Sequence, residues 1–130
     1  MTRLWGYYYS VYARIARMAL AERGVDYAWE EVNPFDPEAD NPHPFGKVPM
    51  LEDRGHRIYE ATAITTYVEA RWLGPRWTPE EPLARAREAQ VITTVGAEVA
   101  FGLDKRFARV DQSLDTGPEL FRGKGPHQNL

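Results

Sequence analysis

The sequence predicts an α/β domain with a mixed four-stranded sheet, followed by a partial all-α segment. Strand-favouring and helix-periodic stretches alternate in the order β-α-β and then β-β-α, with a connection rich in proline between the two halves. A strand-helix-strand unit requires parallel pairing through a right-handed crossover, whereas two strands joined by a tight turn pair antiparallel. At 130 residues, of which 43% are hydrophobic, the chain can bury one core but hardly two. We therefore expect one full domain and a fragment.

The first half of the domain is predicted to be a strand, a helix and a second strand. Residues 2–7 are aromatic and strand-favouring. A helix follows between Ser10, a candidate N-cap, and Gly24, a typical helix stop. Residues 26–32 alternate well enough for the second strand. We expect the buried face of the helix to carry the apolar residues at helical spacing, which are Val11, Ile15, Met18 and Ala19.

The second half of the domain begins with an irregular connection. Residues 33–46 contain five prolines or glycines, too many for a regular helix. Short apolar runs at residues 48–52 and 57–59 flank an Asp-Arg-Gly-His segment, which predicts a hairpin with antiparallel strands. Apolar residues repeat at three and four over residues 63–72, and a Gly-Pro pair then stops the closing helix.

Domain boundaries follow from the positions of the helix-breaking residues. The folded α/β domain is predicted over residues 1–75, and residues 76–82, which are rich in proline, form a linker. Residues 83–110 contain helical periodicity and are predicted to be a partial helical domain. Residues 111–130 lack the apolar density needed to pack, so we expect a disordered tail.

Composition and charge exclude several classes of function. A net charge of −3, with 16 basic residues scattered among 19 acidic ones, provides no cationic face for nucleic acid or an anionic membrane surface. The sequence has no basic leader followed by an apolar run, and no stretch approaches the roughly 18–20 apolar residues of a membrane span. We therefore expect a cytoplasmic protein. Because cysteine is absent, any thiol chemistry must come from a bound ligand.

Three segments resemble the cytosolic glutathione S-transferases. Residues 43–53 (HPFGKVPMLED) and 58–64 (IYEATAI) resemble the glutathione-site signature of that family, with the same spacing between the two halves. Residues 10–24 are similar to the family's serine-led first helix. The match covers residues 2–73 and implies a thioredoxin-like βαβ-ββα domain. In the family this domain precedes an all-helical domain, of which this sequence would hold only the beginning.

The resemblance implies where glutathione, an extended anionic tripeptide, would bind. In the family a valine before a cis proline pairs its backbone with the cysteinyl part of glutathione, and the matching residues are Val48 and Pro49. Lys47 would offer its ammonium to the glycyl carboxylate. The residues by themselves are also consistent with a simple loop-to-strand turn and a solvated lysine.

The same resemblance assigns the γ-glutamyl end of glutathione to the start of the closing helix. The Glu60 carboxylate would take the γ-glutamyl ammonium, and the helix amides would take its carboxylate. Glu60 is also consistent with an acid favoured by the helix dipole. Ala61 departs from the family, in which most members have a serine whose hydroxyl adds a hydrogen bond. The loss corresponds to about 1 kcal/mol, which Thr62 would partly compensate.

Ser10 is the residue that the resemblance assigns to activation of the glutathione thiol. A hydroxyl at a helix N-terminus can donate a hydrogen bond to sulfur, and the helix dipole favours the thiolate. Ser10 can cap its helix at the same time, because the hydroxyl oxygen accepts while its hydrogen donates. Tyr7 is the alternative, since other branches of the family use a tyrosine near the end of the first strand. Neighbouring tyrosines are expected to be pocket wall or core.

The function implied by the resemblance is glutathione transfer to a small apolar electrophile, as in detoxification. Glutathione would be the cosubstrate, no metal is expected, and the full-length form would be a homodimer. The alternative is a non-catalytic glutathione S-transferase-like binding or interaction module, which has lost its substrate domain and binds a protein partner or merely glutathione. His43 stands where many relatives have asparagine, and neither it nor His56 belongs to a metal-ligand pattern.

Overall fold

The computed structural model of the protein describes residues 1–101, with side chains as far as residue 96. The elements in chain order are β1 (Arg3–Gly6), α1 (Val11–Glu22), β2 (Ala28–Glu31), β3 (Met50–Asp53), β4 (His56–Tyr59), α2 (Ala61–Arg71) and α3 (Pro82–Phe101). The chain divides into two compact units, Met1–Trp77 and Thr78–Leu130. The division falls within the segment predicted to be a linker, while the four predicted domain limits stay predictions.

The four strands form one mixed sheet in the order β2-β1-β3-β4. β1 and β2 are parallel, with Leu4 opposite Trp29, and β1 and β3 are antiparallel, with Leu4 opposite Leu51. β3 and β4 form an antiparallel hairpin in which Met50 is opposite Tyr59. The predicted fold class, with its β-α-β and β-β-α halves and its mixed sheet, is therefore confirmed.

The main hydrophobic core lies between one face of the sheet and the helices α1 and α2. Successive side chains of a strand point to opposite faces, so Leu4 and Leu51 join this core while Trp5 and Met50 join a smaller cluster with Val32 on the second face. Replacing a fully buried leucine by alanine costs about 2–5 kcal/mol. The main cluster consists of Leu4, Ala16, Ala19, Leu20, Leu51, Ile64 and Val68.

The buried face of α1 differs from the prediction. The structure buries a row of small residues together with one leucine, namely Ala13, Ala16, Ala19 and Leu20. Val11, Ile15 and Met18 were predicted to be buried, but they are 54%, 40% and 61% exposed. The prediction was wrong for these three because small side chains let the helix approach the sheet and α2 closely, so the buried face is the alanine row and not the row of larger residues.

The element boundaries differ from the predicted ones by one or two residues. Each strand has four residues, so β1 and β2 are shorter than predicted and β3 begins only at Met50. Ser10 is the N-cap of α1, as predicted. The helix ends at Glu22, and Gly24 adopts the positive φ of 63° that glycine tolerates best.

The connection between β2 and β3 contains no helix or strand, as predicted. Side-chain acceptors hold its turns: Asn33 Oδ1 accepts from the Phe35 N–H at 2.9 Å, and Asn41 Oδ1 accepts from the His43 N–H at 3.0 Å. Asparagine commonly closes turns in this way. The connection is therefore ordered by local hydrogen bonds.

The helix α3 belongs to the second unit. Its N-terminus is capped by the Glu81 carboxylate, which accepts from the Leu83 N–H at 2.9 Å and the Ala84 N–H at 2.7 Å. These bonds lower the pKa of the Glu81 carboxyl. The predicted helical segment is thus described as far as Phe101, and the remainder of residues 83–110, like the predicted tail at 111–130, lies outside the described residues.

Candidate functional site

One end of the sheet brings together the three chain segments that carry the predicted site residues. Trp5 of β1, Met50 of β3 and Tyr59 of β4 are partners across the sheet. Because β3 is antiparallel to both neighbours, the chain leaves β1 and β4 at the end where it enters β3. The residues at this end are Ser10 after β1, Lys47, Val48 and Pro49 before β3, and Glu60 and Ala61 after β4.

Ser10 lies in extended conformation at the start of α1. Its Oγ accepts a hydrogen bond from the Ala13 N–H at 3.1 Å, and its own N–H donates to the Tyr7 carbonyl at 2.9 Å. The hydroxyl oxygen is therefore used as an acceptor, which leaves the hydroxyl hydrogen free to donate elsewhere. The side chain is half-buried and stands at the positive end of the helix dipole.

The segment that enters β3 contains a cis peptide bond between Val48 and Pro49. Pro49 is buried and Val48 is half-buried, whereas Lys47 is exposed. The Lys47 carbonyl accepts a hydrogen bond from the Asn41 side-chain amide at 3.1 Å. This bond fixes the backbone just before Val48, and it leaves the Lys47 ammonium in solvent at the sheet end.

Glu60 connects β4 to α2 through an unusual backbone conformation. Its φ is 73°, in the left-handed region that residues with a side chain rarely adopt. Its carbonyl accepts the first bond of the helix, from the Ile64 N–H at 3.0 Å, while its exposed side chain makes no capping bond. Ala61 follows at the first helical position, half-buried and without a hydroxyl. The first amides of a helix lack intrahelical acceptors and can bind an anion.

His43 fastens the connection to the end of β4. Its side chain is buried, with its ring centroid 4.9 Å from that of Tyr59 and 6.2 Å from that of Phe45. Nδ1 accepts a hydrogen bond from the Phe45 N–H at 3.0 Å. The sequence analysis did not assign this role to His43. The signal was available, because asparagine, its usual counterpart in relatives, can accept the same bond from the second residue along.

The pKa of His43 is affected by burial and by two charged residues of the candidate site. Burial lowers the pKa of the imidazole below its ordinary value of 6.5, while the Glu60 carboxylate raises it and the Lys47 ammonium lowers it. His43 therefore lies close enough to interact electrostatically with both Glu60 and Lys47, the two charged residues that are predicted to bind the ligand. A neutral imidazole also matches the acceptor role of Nδ1.

Tyr7 belongs to an aromatic group beside Ser10. Its ring centroid is 5.5 Å from that of Tyr9 and 6.2 Å from that of Phe35. Tyr8 and Tyr9 are 61% and 76% exposed, so of the two predicted roles, pocket wall or core, the core role is wrong for both, while the role as pocket wall stays a prediction. The loop after β1 projects them outward because it turns back toward α1 at Ser10.

A separate cleft of about 450 Å³ lies over the second face of the sheet. Arg3 stacks over Trp5 at 4.6 Å and pairs with Glu30 at 2.9 Å, and Arg57 pairs with Glu52 at 3.1 Å. None of the predicted site residues lines this cleft. Because both of its arginines are already paired, we assign it to the folded scaffold and not to the site.

Among the side chains that the structure describes, those of residues 1–96, no group of three or more His, Cys, Asp or Glu could hold a metal ion. The part of the chain that the structure describes contains no helix of the length and apolar character that crossing a membrane requires. The candidate site is thus built from one hydroxyl, one ammonium, one carboxylate and backbone groups.

Known proteins match both the sequence and the fold. A family model described as “Glutathione S-transferase, N-terminal domain” matches residues 4–76. Maleylacetoacetate isomerase from Pseudomonas aeruginosa is 33% identical over 105 residues, which cover 75% of this chain and 50% of that protein. A stringent starvation protein A homolog from Haemophilus ducreyi is 30% identical over 79 residues, which cover 59% of this chain and 37% of that protein.

A solved structure has the same architecture. The crystal structure of a glutathione S-transferase from Methylobacillus flagellatus with GSH bound matches with a TM-score of 0.58 and 28% identity, covering 66% of this chain and 44% of that one. The first unit is therefore a thioredoxin-like domain of the glutathione S-transferase type. Since the family match spans more than half of the chain, the protein belongs to the glutathione S-transferase family. The chain spans half or less of the length of the two relatives above.

Proposed function

We propose that the protein binds glutathione at the sheet end defined above and activates its thiol for attack on small apolar electrophiles. The observation that carries the proposal is the common position of Ser10, Val48 and Glu60 at one end of the sheet. An extended tripeptide needs a strand edge for its backbone and opposite charges for its two ends. In this proposal residues 1–75 form the glutathione-binding domain, residues 76–82 the linker and residues 83–110 a partial helical domain.

The cysteinyl part of glutathione would pair with the Val48 backbone, which lies before the cis Val48–Pro49 bond at the entry to β3. The Lys47 ammonium would bind the glycyl carboxylate. At the other end, the Glu60 carboxylate would bind the γ-glutamyl ammonium, and the first amides of α2, including that of Ala61, would bind the γ-glutamyl carboxylate. Each end of the ligand is thus matched by a group of opposite charge.

Ser10 would lower the pKa of the bound thiol by donating its hydroxyl hydrogen to sulfur. A free thiol has a pKa of about 8.5, and only the thiolate is nucleophilic. On activation the S–H proton leaves to solvent. The sulfur lone pair then forms the bond to an electrophilic carbon while the bond from that carbon to its leaving group breaks, and the leaving group departs to solvent as an anion. The capping bond from the Ala13 N–H to Ser10 Oγ supports this geometry, because it fixes the oxygen while leaving the hydrogen available.

The first experiment measures glutathione binding by calorimetry and conjugation with a general aromatic electrophile. Ser10→Ala is expected to lower the conjugation rate about 10- to 100-fold, the value of one hydrogen bond to a charged group. Ser10→Asp keeps an oxygen to cap α1 but removes the hydroxyl donor and places a negative charge beside the sulfur, so it should be folded and at least as slow as Ser10→Ala. Tyr7→Phe separates the alternative, since a large loss there with no loss in Ser10→Ala would transfer the thiol-activating role to Tyr7.

The second candidate is a glutathione-binding module without transferase activity. It is favoured by the similarity to the stringent starvation protein A homolog, because relatives at nearly the same identity carry names of different kinds. The same experiment distinguishes the two. Glutathione binding with no conjugation, unchanged by Ser10→Ala, would support the module. Failure to bind glutathione at all would overturn both candidates.

A further inference from the structure

The loop that carries Ser10 is held by a carboxylate from the neighbouring strand. Glu31 is the last residue of β2, and its Oε1 accepts a hydrogen bond from the Tyr8 backbone N–H at 3.0 Å. Its other oxygen, Oε2, accepts from the Trp29 indole Nε1–H at 2.9 Å. One side chain therefore bridges the loop between β1 and α1 to a fixed aromatic residue.

Trp29 is a rigid support for this bridge. Its indole packs so closely on β1 that a Cβ atom built on Gly6 would lie 2.4 Å from its Cη2 atom. The Arg17 guanidinium of α1 lies over the same ring at 5.0 Å from the ring centroid. The indole is thus held between β1 and α1, and it fixes the direction of the Glu31 carboxylate.

The position of Ser10 depends on that of Tyr8, which lies two residues before it in the same turn. The Ser10 N–H donates to the Tyr7 carbonyl at 2.9 Å, which closes a tight turn around Tyr8. A shift of the Tyr8 amide therefore moves the turn and, with it, the Ser10 hydroxyl. Val48 and Glu60 are carried by the ends of β3 and β4, whereas Tyr7, the alternative thiol-activating residue, lies in the same loop as Ser10.

We propose that Glu31 is a positioning residue for thiol activation: it fixes the loop through Tyr8 so that the Ser10 hydroxyl points at the glutathione sulfur. This inference rests on the proposed function and adds a residue that lies outside the three segments of the resemblance. Glu31 does not contact the ligand in this arrangement. Its effect appears in the ionisation of the bound thiol and not in the affinity for glutathione whose thiol is protonated.

The test measures the pKa of bound glutathione from the ultraviolet absorbance of its thiolate, and glutathione affinity by calorimetry. Glu31→Ala is expected to raise the thiol pKa by about 0.5 to 1 unit, since part of one hydrogen bond to sulfur is lost. The dissociation constant, measured at a pH well below the thiol pKa so that the bound thiol is protonated, should change less than about twofold, because the groups that bind the ends of the tripeptide are unaffected. Glu31→Gln keeps one acceptor oxygen for one of the two bonds and should give a smaller shift.

The matched control is Glu30→Gln, which changes the adjacent carboxylate on the opposite face of β2. Glu30 pairs with Arg3 at 2.9 Å and is not bonded to the loop, so the thiol pKa should stay at the wild-type value. Circular dichroism verifies that each variant is folded. If Glu31→Ala disrupts folding, the test is whether the thiol pKa is higher in Glu31→Gln than in Glu30→Gln.

The outcomes separate this inference from the proposed function. If Ser10→Ala raises the thiol pKa and both Glu31 variants leave it unchanged, Glu31 has no positioning role and the inference is overturned while the proposed function stands. An equal shift in Glu30→Gln would also overturn it. If the wild-type protein does not bind glutathione, the proposed function fails and the inference fails with it.

Discussion

Thr2 donates its hydroxyl hydrogen to the Asp53 carboxylate at 2.9 Å, which joins the start of the chain to the end of β3. The Tyr67 hydroxyl and the Arg71 Nε–H, both on α2, donate to the second carboxylate oxygen at 2.5 and 3.3 Å. Asp53 is only 4% exposed. Three segments distant in sequence are therefore tied to one buried charge at the end of the sheet away from the candidate site.

Asp53→Asn should lower the free energy of unfolding by about 2–4 kcal/mol. The amide removes the negative charge, and its NH2 group cannot accept from donors that surround the carboxylate. Urea unfolding followed by tryptophan fluorescence measures the change. Asp26→Asn is the matched control at an exposed position, where an effect below about 0.5 kcal/mol is expected. Equal effects of the two substitutions would mean that these bonds do not stabilise the fold.

His43 should make stability depend on pH in the mildly acidic range. Because burial lowers its pKa in the folded state, the unfolded chain binds a proton first as the pH falls below the ordinary value of 6.5. The free energy of unfolding should therefore decrease from about pH 6.5 downward until the folded-state pKa is passed.

His43→Asn tests this pH dependence without removing the acceptor for the Phe45 N–H. The variant should be stable at neutral pH, and this component of its pH dependence should disappear. Unfolding by urea between pH 7 and 5 gives the comparison. His56→Asn, in the exposed hairpin, should keep the wild-type profile. A profile of His43→Asn identical to that of the wild type would contradict the prediction.

Gly6→Ala should destabilise the protein by about 1–3 kcal/mol, the usual effect of overpacking. The new methyl would lie 2.4 Å from Trp29 Cη2 and 3.1 Å from Ala13 Cβ, closer than carbon atoms pack. A double-mutant cycle identifies the cause: in a Trp29→Leu background the same substitution should have a smaller effect. If the effect of Gly6→Ala is the same in both backgrounds, contact with the indole is not its origin.

Local patterns predicted most of the fold because the turns are encoded locally. Glycine or proline follows the ends of α1 and α2 and fills the connection between β2 and β3, and the hairpin residues between β3 and β4 fixed the antiparallel pair. With the strand order in place, the antiparallel register alone gathers Ser10, Val48 and Glu60 at one end of the sheet. The strand order itself rests on long-range pairing such as that of Leu4 with Leu51, so the grouping of the three residues was predicted through the family resemblance and not from local patterns. Their roles remain predictions.

Local patterns did not predict the features that depend on contacts between segments distant in sequence. The buried face of α1 is decided by how closely the sheet and α2 approach, so the alanine row is buried and Met18 is exposed. Periodicity alone predicts that the larger apolar residues of the helix are the buried ones. The Thr2–Asp53 bond spans 51 positions, and the Glu31 bridge links β2 to a loop after β1. No window along the sequence contains both partners of either contact.

At Glu60, with its left-handed backbone, the residue that would best stabilise the fold differs from the residue that the proposed function requires. A glycine would adopt a φ of 73° more easily, by about 1 kcal/mol. A search for hyperstable variants would therefore select Gly at position 60 and, by the same substitution, delete the carboxylate that we propose to bind the γ-glutamyl ammonium. Thermostability engineering of this domain should leave that position alone.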